Sequence, residues 1–389
     1  MTPWRPLGVA ALAAVACTSA PAADPEWGLK LTGLAGAPLA EGDGRSERVV
    51  AEPSLKWKLP SVELRSNVRL RWLEQERERR SDADVRELTA AWRGDKATLT
   101  LGAQQVNWGR MDILRVTDII NPVDQHDLFY EELPEAKLAL WMANWEWQDG
   151  GQSVQVIATP QVPVDRLPER VAGLPVNVAH PANSLSHSTV ALRYGFEVAG
   201  WNADLVAIRG WQSSPVLRPA LDATGASLQG SLERQNSIGF SADKPLGSTV
   251  LRLEGLYARA TPEDQTAGVL ARRSVSLGAG LDLRTGPWFF ATQLIAYQNL
   301  DAIAGAPKRT AIVSAIVQRK WLQDRLSGRA LHIRESAFGS SWTSLQASYE
   351  LSAHQLLQIQ SDWFRGENTA SFGVFRGRSR IAASMRLQF

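Results

Sequence analysis

The sequence predicts an all-β protein, a single transmembrane up-and-down antiparallel barrel. Apolar and polar side chains alternate along many segments of about 10 residues, the length that a tilted membrane-spanning strand needs. Short and long polar connections also alternate between those segments. Side chains of a strand point alternately to its two faces, so each segment has one apolar and one polar face. No comparable helical period follows residue 22.

The alternation is clearest at the C-terminus. One face carries Ile381, Ala383, Met385, Leu387 and Phe389, and the other carries Arg380, Ala382, Ser384, Arg386 and Gln388. This stretch resembles the closing strand of Gram-negative outer-membrane barrels, in which the assembly machinery reads the final aromatic residue. The resemblance implies that Phe389 is an assembly signal and that the barrel assembly machinery is a partner during biogenesis. A strand of a soluble sandwich can alternate in the same way, so the other segments must decide.

Four further segments, 62–72, 97–104, 274–283 and 344–351, repeat the pattern. Short turns are predicted at 60, 94–95, 149–151, 199–200, 244–247, 285–287 and 353–354. Longer connections are predicted near 37–47, 74–83, 107–135, 162–186, 212–230, 260–271, 300–308 and 366–376. This rhythm is typical of barrels with short periplasmic turns and long external loops. It predicts about 18 strands with both termini on the periplasmic rim. The alternative is 16, because 309–340 is ambiguous: its two faces are both apolar at Ile312, Val313, Ile316 and Val317, and the hairpin that follows is weakly patterned.

Tryptophans support a membrane location. Eight of the 15 lie near predicted strand ends: Trp57, Trp72, Trp92, Trp108, Trp201, Trp211, Trp288 and Trp363. Indole rings prefer the headgroup level, whereas a soluble core would accept them at strand centres. We therefore expect two aromatic girdles in the outer membrane of a Gram-negative bacterium, with membrane lipid and lipopolysaccharide as partners.

The N-terminus has the features of a secretory signal. Arg5 precedes an apolar run over 7–16, and Ala20-Pro21-Ala22 fits a small-x-small cleavage site. We expect residues 1–22 to be a signal peptide and 23–389 to form the barrel. The only cysteine, Cys17, lies in the signal, so no disulfide is expected; lipidation at Cys17 is the alternative. The formal net charge is only +2 and no strongly basic or acidic tail is present, so the sequence does not point to nucleic-acid binding. No cofactor or metal site is predicted.

The connection over 108–136 is unusual for an external loop. Apolar residues recur at Ile113, Leu114, Val116, Ile119, Ile120 and Val123. Such residues need a surface to pack against, and the inner barrel wall is the nearest. The sequence therefore predicts a long third external loop folded into the lumen, with Asp112, Asp118, Asp124 and Asp127 lining a constriction. The alternative is that 121–122 only begins a turn and the acids are solvated.

The predicted lumen faces also carry arginines, namely Arg65, Arg69, Arg71, Arg252, Arg380 and Arg386. Acids facing arginines across a pore would create a transverse field that screens solutes by charge. Glu63, Glu254 and Asp282 share these faces, so each arginine can instead brace its neighbouring strands.

Two resemblances point to porins. The position of the loop is similar to that of the inward-folded third loop of general porins. Trp108-Gly109 and Asn121-Pro122-Val123-Asp124 resemble elements of a porin-like outer-membrane family without an established function. This resemblance covers about 30 residues. It implies a porin-like barrel and names no substrate.

Three functions fit these observations. The first is a channel for small polar or anionic solutes through a loop-constricted lumen. The second is an accessory outer-membrane barrel of an export system. For either function the sequence leaves open whether the protein forms a homo-oligomer. The third, a barrel lipase or protease, needs a nucleophile beside a base. His187-Ser188 is the only adjacent pair of interest, and no lipase signature surrounds it, so no enzyme is predicted.

Overall fold

The computed structural model describes residues 24–39, 46–75, 78–111, 113–125, 133–171, 173–222, 225–262, 271–301, 307–367 and 371–389. The predicted signal peptide lies outside these residues, as do Asp112 and Asp127 of the predicted constriction. Across the described ranges, no helix combines the length and the hydropathy of a membrane-spanning helix.

The structure is an 18-stranded antiparallel barrel, as predicted. In chain order its strands are β1 (Glu26–Pro38), β2 (Ser46–Lys58), β3 (Val62–Gln75), β4 (Glu78–Arg93), β5 (Ala97–Gln104), β6 (Leu140–Asp149), β7 (Gln152–Thr159), β10 (Thr189–Val198), β11 (Trp201–Trp211), β14 (Glu233–Leu246), β15 (Thr249–Pro262), β16 (Arg272–Thr285), β17 (Trp288–Asn299), β18 (Arg309–Trp321), β19 (Leu326–Glu335), β20 (Ser341–Ser352), β21 (Gln355–Arg365) and β22 (Arg380–Gln388). Strand β1 pairs with both β2 and β22, so the sheet closes on itself and no strand edge remains unpaired.

The four other strands form a separate sheet between the external loops: β8 (Arg170–Val171), β9 (Leu174–Val178), β12 (Val216–Asp222) and β13 (Gly225–Ser231). Their order is β12-β13-β9-β8, and β13 pairs with β9 in parallel. The helical segments among the described residues are short: α1 (Leu133–Ala136) and 3₁₀ turns at Leu185–His187 and Gly373–Arg378.

The short turns lie on the same rim of the barrel as the start of β1 and the end of β22. Gln388 donates its backbone N–H to the carbonyl of His354 in the β20–β21 turn, at 3.0 Å. Phe389 donates to the carbonyl of Leu29 at 2.9 Å, which extends the β22–β1 seam by one residue. The tight turn between β18 and β19 was not predicted. There Leu322, Gln323 and Asp324 all have positive φ, between 54° and 69°.

The outer wall is an apolar belt. Exposed apolar side chains on strands between β11 and β21 include Leu205, Ile238, Leu277, Leu294, Val313, Leu345 and Ile359. Most of the predicted girdle residues lie at strand ends, but the assignment of Trp108 is wrong. Trp108 is only 1% exposed and lies inside the barrel, because the loop that carries it folds inward. Trp211 is also buried, under Arg234, whose guanidinium carbon is 4.4 Å from the ring centroid.

Candidate functional site: a loop folded against the inner barrel wall

The segment 105–139 between β5 and β6, here called the inserted loop, packs on the inner barrel wall. Trp108 and Ile120 contact β6, β7, β10 and β11. Met111 and Val116 contact β15 and β17, and Ile113 contacts β17, β18 and β19. The wall residues in these contacts alternate with side chains exposed on the outer belt, so they face the lumen. The aliphatic content of the loop is thus explained by burial against the wall.

Glu254 on β15 anchors the inserted loop. Its carboxylate accepts backbone N–H groups from Arg110, Met111 (2.9 Å) and Thr117 (3.0 Å), and the Thr117 hydroxyl at 3.0 Å. The side chain is 1% exposed, so the carboxylate depends on these donors in place of water. The two passes of the loop, at 110–111 and at 117, are therefore held together at one point of the wall.

Arg110 makes a second attachment close by. Its guanidinium binds Asp204 of β11 at 2.5 Å and also Asp243 of β14. Its backbone carbonyl accepts a hydrogen bond from Arg252 of β15, which is itself paired with Asp282 of β16 at 2.7 Å. The predicted lumen residue Arg252 thus holds the loop and braces β15 against β16.

The Trp-Gly element is explained by packing. The indole N–H of Trp108 donates to Gln155 of β7 at 2.8 Å. A Cβ at Gly109 would lie 3.1 Å from the Asp118 Cβ and 3.3 Å from Glu254 Oε1. These separations are tighter than ordinary van der Waals contact, so glycine lets the backbone come close enough for the Glu254 anchor.

Asn121 ties the two stems of the inserted loop. It is fully buried, and its side-chain oxygen accepts the N–H of Val106 at 2.8 Å. Its amide nitrogen donates to the carbonyls of Gln104 (3.1 Å) and Leu138 (2.8 Å). The Asn-Pro-x-Asp element therefore fixes where the loop leaves and re-enters the wall, which is more than the start of a turn.

Asp124, at the end of that element, joins three parts of the molecule. Its carboxylate is buried and accepts from Arg71 of β3 at 2.8 Å and from Arg166 of the β7–β8 connection at 2.9 Å. Arg166 also binds Asp84 of β4 at 2.7 Å, and Arg71 binds both Asp82 and Asp84 at 2.8 Å. Arg71, which was predicted to face the acids of the loop from the opposite wall, is therefore in direct contact with Asp124.

Asp118 pairs with Lys137 inside the inserted loop. Lys137 is buried and also donates to the carbonyl of Val106 at 3.1 Å. Burial lowers the pKa of Lys137, and the neighbouring Asp118 offsets only part of this effect. The two charges neutralise each other within the loop, so Asp118 does not form a free acidic face.

Glu135 in α1 connects the end of the inserted loop to the β1–β3 wall. It accepts from Lys30 at 3.1 Å and lies 3.8 Å from Arg386 of β22. Arg69 donates to its backbone carbonyl at 2.8 Å and binds Glu52 at 2.9 Å. Burial raises the pKa of the Glu135 carboxyl, but Lys30 and Arg386 outweigh it, so the pKa lies below its ordinary value.

The two other predicted arginines brace strands. Arg65 binds Glu63 on its own strand at 2.5 Å and lies 3.9 Å from Glu87 of the adjacent β4. Arg380 is buried, lies 3.5 Å from Asp362 of the adjacent β21 and donates to Ser46 at 3.2 Å. All six predicted arginines thus lie on inward faces, and each has an acidic neighbour.

Polar cavities adjoin the inserted loop on the β1–β6 side. One of about 460 Å³ is lined by Lys30, Glu52, Arg69, Arg86, Glu87, Gln105 and Glu135, among others. Another of about 550 Å³ is lined by Glu63, Arg65, Arg86, Glu87, Arg93, Gln105, Asn144 and Glu146, among others. They share Arg86, Glu87 and Gln105, so they meet beside the loop stem. On the other side of the loop, Ile113, Val116 and Trp211 contribute to a cavity of about 530 Å³.

Several residues of this site were not predicted: Arg110, Glu135, Lys137 and Arg166. Each lies in a loop, where no alternation indicates which way a side chain points. The His187 ring, considered above as a catalytic base, lies 2.6 Å from the carbonyl oxygen of Ala182 and edge-on to Trp211. In the part of the chain that the structure describes, no group of three metal-binding side chains is present.

A closed barrel of 18 strands with an apolar outer belt has the architecture of the porin-type barrels of Gram-negative outer membranes. No protein-family model matches the sequence, and no curated protein sequence is similar to it. Solved structures are similar over nearly the whole chain. OccAB2 of Acinetobacter baumannii has a TM-score of 0.58 at 10% identity, covering 94% of this chain and 97% of that one.

Two structures from Pseudomonas aeruginosa give the same picture. OccK5 has a TM-score of 0.57 at 10% identity, with 94% of this chain and 96% of that chain covered. OccK10 has a TM-score of 0.56 at 10% identity, with 94% and 99% covered. The chain therefore has the fold of these outer-membrane barrels.

Proposed function

We propose that this protein is an outer-membrane channel that passes small polar solutes, anions among them, beside the inserted loop. The observation that carries the proposal is the pair of charged cavities that meet at Arg86, Glu87 and Gln105. A loop that merely filled the barrel would bury apolar residues on all sides. Here the loop buries them against β6–β19 and leaves a polar passage along β1–β6.

The lining of this passage contains both signs of charge. Its cations are Lys30, Arg65, Arg69, Arg86 and Arg93, and its carboxylates are Glu52, Glu63, Glu87, Glu135 and Glu146. The two signs are interspersed and several of these groups are paired, for example Arg65 with Glu63 and Arg69 with Glu52. Such a lining suits solutes that have both hydrogen-bond donors and acceptors, and the equal numbers of cations and carboxylates predict weak ion preference.

The test is conductance in planar bilayers together with swelling of proteoliposomes in sugars of increasing size. Replacing most of 110–130 by a short Gly-Ser linker should raise single-channel conductance and admit larger sugars. The matched control removes 217–229, which belongs to the separate external sheet and leaves the inserted loop in place. If loop removal leaves conductance and the size limit unchanged, the inserted loop does not define the passage and the proposal fails.

A further inference from the structure

A polar cavity lies beside the tip of the inserted loop, on the side of the short turns. Its volume is about 260 Å³, and strands β17 to β20 supply most of its lining. The described residues that line it are Ile113, Phe289, Ala291, Gln293, Ile316, Gln318, Ser327, Arg329 and Gln346. We call this cavity the amide pocket, because three of these residues are glutamines.

Strand register explains how this part of the inner wall becomes polar. The tip of the inserted loop packs on Ile316 of β18 and Leu331 of β19, which are directly opposite each other. Two residues nearer the short turns, the opposite pair is Gln318 and Arg329, and Gln346 of β20 comes next in the same row. Residues two apart on a strand share a face, so this second row also faces the lumen. The apolar row is therefore covered by the loop, and the polar row beside it lines the amide pocket.

Several hydrogen-bonding groups of the amide pocket have no partner among the described residues. The side chains of Gln318 and Ser327 make no hydrogen bond within this part of the chain. Gln346 donates to Ser348 at 3.1 Å, and its carbonyl oxygen has no described partner. Of the described lining residues, Arg329 alone is charged, whereas the passage along β1–β6 has five carboxylates and five cations. The amide pocket is therefore a nearly neutral polar surface.

These groups match the chemistry of an uncharged sugar. An amide or hydroxyl side chain both donates and accepts hydrogen bonds, as each sugar hydroxyl does, whereas a carboxylate only accepts and a guanidinium only donates. Neutral groups also lose their water more easily than charged groups do. Phe289 adds a flat apolar surface for the C–H groups of a sugar ring, and the guanidinium carbon of Arg284 lies 5.0 Å from the centroid of its phenyl ring. Sites for drug-sized ligands span about 300–1,000 Å³, so the smaller amide pocket suits a single sugar ring.

We propose that the amide pocket binds one ring of an uncharged sugar. Gln318, Ser327 and Gln346 bind its hydroxyl groups, and Phe289 lies against its C–H groups. The inference rests on the proposed channel function, which brings the sugar into the lumen, and it names a substrate class for that function. Charged solutes then have the passage along β1–β6, and neutral sugars have a binding site on a different part of the wall.

The test is saturation-transfer NMR of the barrel titrated with glucose, in a detergent that has no sugar headgroup. The variant Gln318→Ala/Gln346→Ala should bind glucose about tenfold more weakly, because two neutral hydrogen bonds are lost. The smaller change Ser327→Ala should weaken binding about threefold. Gln358→Ala is the matched control and should bind as the parent does, since Gln358 lies on the same inner wall, binds Gln360 at 3.1 Å and does not line the amide pocket. The heat-dependent shift of folded barrels in electrophoresis checks that each variant is folded.

Four results would overturn the proposal. These are the absence of a saturable signal with glucose, galactose and mannose, equal glucose affinity of the parent and the double variant, equal loss in Gln358→Ala, and tighter binding of glucuronate than of glucose. The last result would make the cavity an anion site around Arg329. Glucose affinity should be the same in 0.1 M and 1 M salt, because salt screens only charges, and a clear loss at 1 M would contradict the proposal as well. Binding is measured here without transport, so its failure leaves the conductance test of the channel standing, and failure of the conductance test does not alter the binding result.

Discussion

Replacing Glu254 by glutamine should loosen the inserted loop without removing it. The carboxylate accepts three backbone N–H groups and one hydroxyl, all from the loop. The amide of glutamine keeps one oxygen but turns an NH₂ group toward the remaining donors. Hydrogen bonds to a charged group contribute about 1.5–3 kcal/mol each, so losing two weakens loop docking by about 3 kcal/mol at least.

The loop should nevertheless stay docked most of the time. Burial of a large apolar side chain contributes about 1.5–3 kcal/mol, and Ile113, Val116 and Ile120 are all buried against the wall. About 3 kcal/mol corresponds to a more than 100-fold rise in the undocked fraction. Single-channel recordings of Glu254→Gln should therefore show brief excursions to a higher conductance above an unchanged main level.

Glu335 offers a matched control for this experiment. It is also 1% exposed and also binds loop N–H groups, those of Ala337 (2.6 Å) and Phe338 (3.2 Å). It has no hydrogen bond to any described residue of the inserted loop. Glu335→Gln should leave the recordings unchanged. If Glu254→Gln and the parent give the same recordings, or if both glutamine variants give the same excursions, the anchoring role of Glu254 is refuted.

Four further outcomes are expected. Gly109→Ala should produce weaker excursions of the same kind, since overpacking costs about 1–3 kcal/mol, whereas Gly377→Ala, where nothing lies within 4 Å, should not. Asp124→Asn leaves Arg71 and Arg166 with one carboxylate fewer, so reversal potentials should shift toward anions, and less so in 1 M than in 0.1 M salt. The pKa of Glu135 is lowered in the docked loop, so its ionised carboxylate stabilises docking fully above the ordinary pKa of 4.5, and this stabilisation is lost as the pH falls through the lowered pKa. Acid should therefore increase open excursions in the parent but not in Glu135→Gln. Deleting Phe389 should reduce outer-membrane levels on immunoblots far more than deleting Ser371, and equal levels would argue against an assembly role for Phe389.

Strand number and connectivity could be predicted because the strands of a membrane barrel require apolar and polar side chains to alternate, and this alternation is visible in the sequence. The region that was ambiguous, 309–340, shows the limit of this reasoning. Ile312 and Ile316 face inward, where polar residues are expected, because the tip of the inserted loop packs on them. Val313 and Val317 face outward toward lipid. Apolar residues on both faces of a strand thus mark the place where a loop covers the wall.

The site was predicted less completely than the fold. The aliphatic residues of the loop indicated that it must be buried, but they do not indicate which carboxylate of the wall accepts its backbone hydrogen bonds. Glu254 lies 137 residues beyond Thr117, and no local pattern distinguishes it from Asp282 on the next strand. Similarly, the sequence indicated acids and arginines but not their pairing, since Asp124 meets Arg166 only through the path of two separate loops.

The reach of the inserted loop has a consequence for how the barrel assembles. The backbone N–H of Ile113 is 3.4 Å from its acceptor on Gln293, a residue 180 positions later in the chain. If strands are added in chain order, the inserted loop is in place before β17–β19, the strands on which its tip packs, have been added. During that interval its aliphatic side chains and the inward face of β18 are both uncovered. With that order of addition, docking of the loop is a late event, and an intermediate in which the β1–β22 seam closes first would trap the loop outside its own barrel.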